Sequence, residues 1–315
     1  MIMANYLMKR FLSMALAMIG LTLIAFFLMR IMPGDPIEAY YQANHIPVTE
    51  EMLEQARQEQ GLDKPLFTQY ITWLGGVMTF DFGTSFMNGK SVSEELLAYF
   101  TVTIQLALVA FLFMLIICIP IGILSAIKRN SVFDHVTRLT IFSVASMPSF
   151  WLGFVLIYVI AFKLDLLPLM GWGTPQTIIL PALTLALGNI PFYIRMIRTS
   201  MIEQMKQPFV TFARARGISE SVIIRKHIFK ATLTPFVTSL AMTFGILIGG
   251  AAIVEMIFSI PGMGRYIVGA ITARDYYVMQ GFIMMIGFFF ILVNFLADLL
   301  CALIDPRIRL KENLS

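Results

Sequence analysis

The groups that could do chemistry are few and dispersed. His45, His135 and His227 lie far apart in a chain of 315 residues and occupy different loops, so they make no ligand set for a metal ion. Cys118 and Cys301 fall inside apolar runs, where thiols behave as small buried hydrophobes rather than as a redox or metal pair. No glycine-rich loop ending in Lys-Ser/Thr is present to cradle nucleotide phosphates. Nor is there a His-Glu-x-x-His, a Cys-x-x-Cys or a Gly-x-Ser-x-Gly sequence. The residues therefore nominate no catalytic group, no metal site and no cofactor of the chain's own. Two carboxylates, Glu255 and Asp298, stand in long apolar runs where a charge is costly. Asp298 suits pairing with a basic group at the membrane face. Glu255 sits three residues before the turn Phe258-Ser259-Ile260-Pro261-Gly262-Met263-Gly264. With Pro261 and Gly262 it either lines a gate or path, or reaches the membrane interface.

The most basic segment is patterned as well as charged. Between Lys206 and Lys230 lie seven basic residues, His227 included. Pro208 suits the first turn of a helix, since its fixed φ fits and its missing N–H has no partner there; Gly217 suits the left-handed close. Arg214 and Arg216 then fall in the last turn, where cations complement the helix dipole. Such a helix is about 13 Å long at ~1.5 Å per residue, too short to cross a bilayer. Phe209, Phe212 and Ala213 share a face by spacing, and Ser219 can cap a second helix running to about Leu233. Two readings fit: a cytoplasmic loop made basic by membrane topology alone, and a docking element for a soluble partner. The caps and the apolar face favour docking.

These residues must be held by a membrane scaffold. Hydrophobic residues make up 58% of the chain and charged residues 13%. Uninterrupted apolar runs reach the ~20 residues that cross a hydrocarbon core as a helix. Six spans are expected, near 11–29, 102–127, 139–162, 177–197, 236–258 and 279–304. Lys and Arg sort by side, 16 on one and 7 on the other, which puts both termini of a multi-pass membrane protein in the cytoplasm. The net charge of +4 is spent on this sorting, so nucleic acid is not an expected partner; the lipid bilayer is. The organisation expected is a cytoplasmic N-terminus and first span at 1–30, an extracytoplasmic lobe at 31–100, and a five-helix core at 101–304 containing the 206–235 loop. A cytoplasmic tail follows at 305–315. The lobe is acidic, with ten acids and four bases between Arg30 and Phe100. It reads as helical from Thr49 to near Gly61 and again past Leu66, with a turn at Asp81-Phe82-Gly83.

Nine short matches in order carry a resemblance over essentially the whole length. They begin with Arg30-Ile31-Met32-Pro33-Gly34-Asp35-Pro36 and Gly61-Leu62-Asp63-Lys64-Pro65-Leu66, and continue with Asp81-Phe82-Gly83-Thr84-Ser85, Pro148-Ser149-Phe150-Trp151-Leu152-Gly153 and Leu180-Pro181-Ala182. Pro261-Gly262-Met263-Gly264, Arg274-Asp275-Tyr276, Gln280-Gly281 and Asp305-Pro306-Arg307-Ile308-Arg309 complete them. The chain resembles the B-type permease subunits of the dipeptide, oligopeptide and nickel ATP-binding-cassette importers. The resemblance implies an all-α, type I importer permease fold. It also implies a homologous second permease, two cytoplasmic ATPase subunits that bind ATP and magnesium, and an extracytoplasmic solute-binding protein. The basic stretch then looks like the family's coupling loop, with Phe209, Thr211, Phe212, Ala213, Arg214, Ala215, Arg216 and Gly217 as its docking residues. Ala213 and Gly217 match the second Ala and the Gly of that loop, whereas Thr211 and Phe212 replace its Glu-Ala. A salt bridge from that Glu is therefore not expected.

Within the family, Ile46-Pro47-Val48-Thr49-Glu50-Glu51-Met52-Leu53 and Met170-Gly171-Trp172-Gly173 look closest to nickel permeases. Nickel, free or chelated, is the expected cargo, with di- or oligopeptide (or glutathione) as the alternative. A passive channel is the rival from another class, and it would need no coupling loop.

Overall fold

The computed structural model describes residues 2–31, 35, 37–38, 41, 46–59 and 61–304, and these described residues are almost wholly helical. His45 and the tail from Asp305 lie outside them. The helices are α1 (Ile2–Ile31), α2 (Glu50–Glu59), α3 (Leu66–Met78), α4 (Val92–Ile127), α5 (Val132–Ala145), α6 (Ser149–Leu156), α7 (Pro175–Leu187) and α8 (Ile190–Met205). They continue with α9 (Pro208–Ala215), α10 (Glu220–Val222), α11 (Phe229–Ile257), α12 (Met263–Thr272) and α13 (Tyr276–Ile304). Two π-helical stretches, Ile157–Lys163 and Ile223–Ile228, extend α6 and join α10 to α11.

Among the described residues, three helical segments are long and apolar enough to cross a membrane: Met8–Ile31, Val92–Ile127 and Tyr276–Leu299. Two expected spans are instead broken. Val132–Ala145 and Ser149–Lys163 meet at 108°, and Pro175–Leu187 and Ile190–Met205 at 53°. Proline explains where they break: Pro148 caps α6 in extended backbone, and Pro191 stands in the first turn of α8, where its missing N–H costs nothing. The fifth expected span is longer than its apolar run, because helical structure continues from Glu220 to Ile257 straight through Pro235. A membrane helix tolerates such a proline when neighbouring groups re-satisfy the freed carbonyl.

The chain divides into two compact units. One comprises 10–103 and 261–292. Its core gathers Ala25 and Met29 of α1, Val92 and Leu96 of α4, Tyr266 and Ile267 of α12, and Met279 and Met284 of α13. Glycine sets how closely these helices approach. A Cβ on Gly281 would stand 2.6 Å from Leu96 Cδ1, and one on Gly287 would overlap the Leu21 side chain. Small residues matter here because in lipid, packing rather than water exclusion holds helices together. Asp81 accepts the Gly83 N–H at 2.9 Å, making the expected turn, and Gly83 takes φ +84°.

The other unit comprises 1–9, 104–260 and 293–315. Here a Cβ on Gly122 would meet Ile197 Cβ at 2.9 Å, which fixes α4 against α8. Gly153 does the same between α6 and the Thr184 methyl of α7. Tyr193 and Thr243 share a buried hydrogen bond at 2.5 Å, tying α8 to α11.

Candidate functional site

The short basic helix forms as its caps demand. Gln207 holds extended backbone at the N-cap, Pro208 opens the first turn, and α9 ends at Ala215 with Arg216 as C-cap. Gly217 takes φ +72°. Its N–H bonds the Arg214 carbonyl at 2.9 Å, and the Ile218 N–H bonds the Ala213 carbonyl at 3.2 Å. This paired closure satisfies two carbonyls that the helix end would orphan, and it requires a residue comfortable at positive φ. Ser219 then starts the next helix in extended backbone, with its carbonyl, not its hydroxyl, engaging the first turn.

Burial divides the expected face: Ala213 is buried while Phe209 and Phe212 stay exposed. Val210 and Ala213 are the buried pair, and the helix packs on the π-helical stretch Ile223–Ile228. Phe209 is half-exposed and Phe212 is 70% exposed, together with Thr211, Arg214, Ala215, Arg216 and Gly217. The spacing Val210–Ala213 shares one side of the helix as readily as Phe209–Phe212 does, and the smaller pair seats against the support. A rigid, eight-residue rod therefore presents an aromatic ring and two guanidinium groups outward.

Arg214 does not stand alone. Its Nε donates to Glu220 Oε1 at 2.5 Å and its Nη2 to Oε2 at 3.3 Å, across the glycine turn. The bond from Arg214 holds the Glu220 carboxyl below its ordinary range, and the same bond raises Arg214. Both side chains are well exposed, so the pair orients the guanidinium more than it stabilises the fold.

A second cluster lies in the same unit, and sequence reasoning passed over it. Asp134 is fully buried. It accepts Arg198 Nε at 2.7 Å and Nη2 at 2.8 Å, Ser125 Oγ at 2.5 Å, and the Asn130 N–H at 3.0 Å. One carboxylate thus joins the end of α4, the 128–131 turn, the start of α5 and the helix α8 that leads into α9. The available signal was Ser131-x-x-Asp134 before an apolar run; Ser131 caps α5 by accepting the Asp134 N–H.

Glu255 lies two residues before the end of α11 and is fully buried. The turn that follows it is clasped: the Ile260 N–H reaches the Glu255 carbonyl at 2.8 Å, and the Gly171 N–H reaches the Phe258 carbonyl at 3.0 Å. Pro261 and Gly262 belong to the other unit, where Pro261 is exposed and buried Gly262 caps α12. In that unit Asp275, also fully buried, caps α13 through the Val278 N–H at 3.2 Å. Asp275 accepts the Ser85 hydroxyl at 2.7 Å and the Met87 N–H at 3.1 Å as well. Asp298 is partly buried near the end of α13. Among the described residues no three His, Cys, Asp or Glu side chains gather where a metal ion could be held.

The family follows from the sequence itself. The model of the inner membrane component of binding-protein-dependent transport systems matches residues 118–310, and the model of the N-terminal part of such components matches 3–107. The chain belongs to this family. As such a permease it is 36% identical over 316 residues to a putative peptide transport system permease protein of Brucella abortus (strain 2308), covering 98% of this chain and 99% of that one. It is 33% identical to the dipeptide transport system permease protein DppB of Escherichia coli (strain K12), covering 98% and 100%. It is 32% identical to the metal-staphylopine import system permease protein CntB of Staphylococcus aureus (strain NCTC 8325 / PS 47), covering 98% and 99%. Among solved structures, an inward-facing form of the MetNI methionine ABC transporter has a chain that superposes with a TM-score of 0.57 at 20% identity, covering 67% of this permease and 96% of that chain. That likeness establishes the importer-permease fold. The protein is a membrane permease subunit of an ABC importer, and in such systems ATP is hydrolysed by other subunits.

Proposed function

We propose that this permease forms half of a translocation path and is driven through α9 by cytoplasmic ATPases. Six spans with both termini cytoplasmic, a homologous second permease, two ATPase subunits and an extracytoplasmic solute-binding protein complete the assembly. The observation that carries this is the continuity of helix from Glu220 to Ile257. The docking helix packs on one end of that rod, and buried Glu255 stands near the other. A groove on an ATPase that takes Phe212, Arg214 and Arg216 moves a rigid body, and closure of the ATPases becomes movement beside Glu255. Glu255 is then a path residue, and Pro261 and Gly262 are gate candidates of the other unit.

The cargo favoured by the relatives is a di- or oligopeptide. The second reading is nickel carried as a chelate, which the sequence motifs favour and which suits a relative named for metal-staphylopine import. Uptake into vesicles carrying the complete complex separates the readings. Labelled dipeptide should accumulate with ATP, and excess nickel chelate should leave that accumulation unchanged. ATP-dependent accumulation of nickel that dipeptide cannot displace overturns the peptide reading in favour of the chelate. Accumulation without ATP overturns the importer mechanism itself.

A further inference from the structure

Two cavities of the unit formed by 10–103 and 261–292 stand one above the other along the same pair of helices. The first, of about 340 Å³, is lined by Arg30, Tyr276 and Gln280 with the aromatic rings of Phe26 and Trp73. The second, of about 600 Å³, is almost wholly apolar, with Thr22, Leu74, Met284 and Phe288 in its wall. Phe82 lines both. From Arg30 to Thr22 on α1, and from Tyr276 to Met284 on α13, the step is eight residues, about 12 Å of helix. A polar chamber therefore sits directly over an apolar one at the end of the membrane helices that carries Arg30.

The polar chamber holds groups that ask for a ligand. The Arg30 guanidinium lies over the Phe26 ring at 4.7 Å and donates to Gln69 Oε1, a neutral acceptor; no carboxylate among the described residues bonds it. Lys64 joins Arg30 on this wall, and Glu59 and Asp81 line it as well. Two cations and two carboxylates around one mouth complement a phosphate joined to an ammonium group. The chamber below takes a hydrocarbon chain.

We propose that these paired cavities bind one zwitterionic, amine-headgroup phospholipid. Its phosphate meets Arg30 and Lys64, its ammonium faces Glu59 and Asp81, and an acyl chain fills the space beside Leu74. The bound lipid acts as a structural part of this unit and does not depend on which cargo the importer carries.

The test is retention of phospholipid by the assembled importer, purified in mild detergent from a membrane containing amine and anionic phospholipids and followed by native mass spectrometry. Wild type should keep an amine phospholipid through washing. Arg30→Gln and Lys64→Gln should each lower its retention by about fivefold, the worth of one phosphate contact. Lys64 is exposed, so Lys64→Gln keeps the packing and remains informative even if Arg30→Gln fails to assemble. Leu74→Trp, which fills the lower chamber, should also release the lipid. Phe67→Ala, on the exposed side of the same helix, should release none. Undiminished retention in Lys64→Gln and Leu74→Trp overturns the site, as does preference for an anionic phospholipid. Thermal stabilisation of the delipidated complex by inorganic phosphate alone, with no further gain from phospholipid, would assign the polar chamber to a small anion instead.

Discussion

Asp134 and Arg198, 64 positions apart, form a two-point ion pair with Nε–Oδ1 at 2.7 Å and Nη2–Oδ2 at 2.8 Å around a carboxylate that no solvent reaches. The pair holds α8 to the α4–α5 corner immediately before the chain enters the docking helix. Planar guanidinium against planar carboxylate also fixes orientation, which a lysine at 198 could not do.

Removing one partner leaves the other charged and buried. Asp134→Ala and Arg198→Ala should each destabilise the complex by about 3–5 kcal/mol, and Arg198→Lys should recover only part of the loss. Thermal unfolding of the purified complex measures this. Additive losses in the double variant would show that the two residues do not act as a pair.

Gly217 closes α9 at φ +72°. Gly217→Val places a β-branched residue in left-handed backbone, costing on the order of 2 kcal/mol, whereas Gly217→Asn should be tolerated. Under the docking proposal, the Val variant loses cargo uptake while ATP hydrolysis by the complex continues. Uptake equal to wild type in both variants would remove this turn from coupling.

The Arg214–Glu220 pair responds to pH only in acid. Glu220 titrates below its ordinary value of 4.5 when folded, because Arg214 bonds its charged form. A depressed carboxylate contributes fully at neutral pH and loses that contribution only as pH falls through the lowered value. Uptake between pH 6 and pH 8 (about one unit either side of neutral) should therefore not depend on Glu220 titration. Glu220→Gln should leave unfolding temperature unchanged, as exposed pairs contribute little. Arg214→Glu should abolish coupling through repulsion at the docking surface, read as uptake against ATP hydrolysis.

Asp275 closes the 83–91 turn onto α13. Asp275→Asn keeps the shape but weakens three bonds from Ser85, Met87 and Val278, and should cost about 1–3 kcal/mol. Faster proteolysis near Met87, with the remainder of the chain protected, is the expected observation.

Glu255 provides the cleanest test of the path assignment. Glu255→Gln preserves volume and exchanges the carboxyl for an amide, so the complex should assemble normally while cargo uptake falls about tenfold, measured in vesicles. Wild-type uptake would exclude the carboxylate from the path.

Much of this protein is legible in its sequence because local rules decide it. Pro208 and Gly217 delimit α9 through backbone dihedrals alone, and Asp81-Phe82-Gly83 specifies its turn through a side chain two residues away. Long apolar runs declare α1, α4 and α13, since nothing but helix satisfies their backbone in lipid. The ordered motifs carried the family, which the matches at 3–107 and 118–310 bear out.

What remained hidden depends on residues distant in sequence. Spacing alone could not say whether Val210 and Ala213 or Phe209 and Phe212 would turn inward, because the π-helical stretch that receives α9 lies beyond the next turn. Arg198 counted in the sequence only as one more positive charge on one side of the membrane, and its role appears only when Asp134 is folded against it. The grouping of 261–292 with 10–103 likewise rests on Gly281 and Gly287 allowing α13 to meet Leu96 and Leu21. The sequence by itself determined the three long apolar helices, the capped basic helix and the family, because dihedral preference and hydrophobic run length act within a few residues. Tertiary structure alone decided which faces are buried and which charges pair. Those outcomes depend on close contacts between segments that no local pattern brings together.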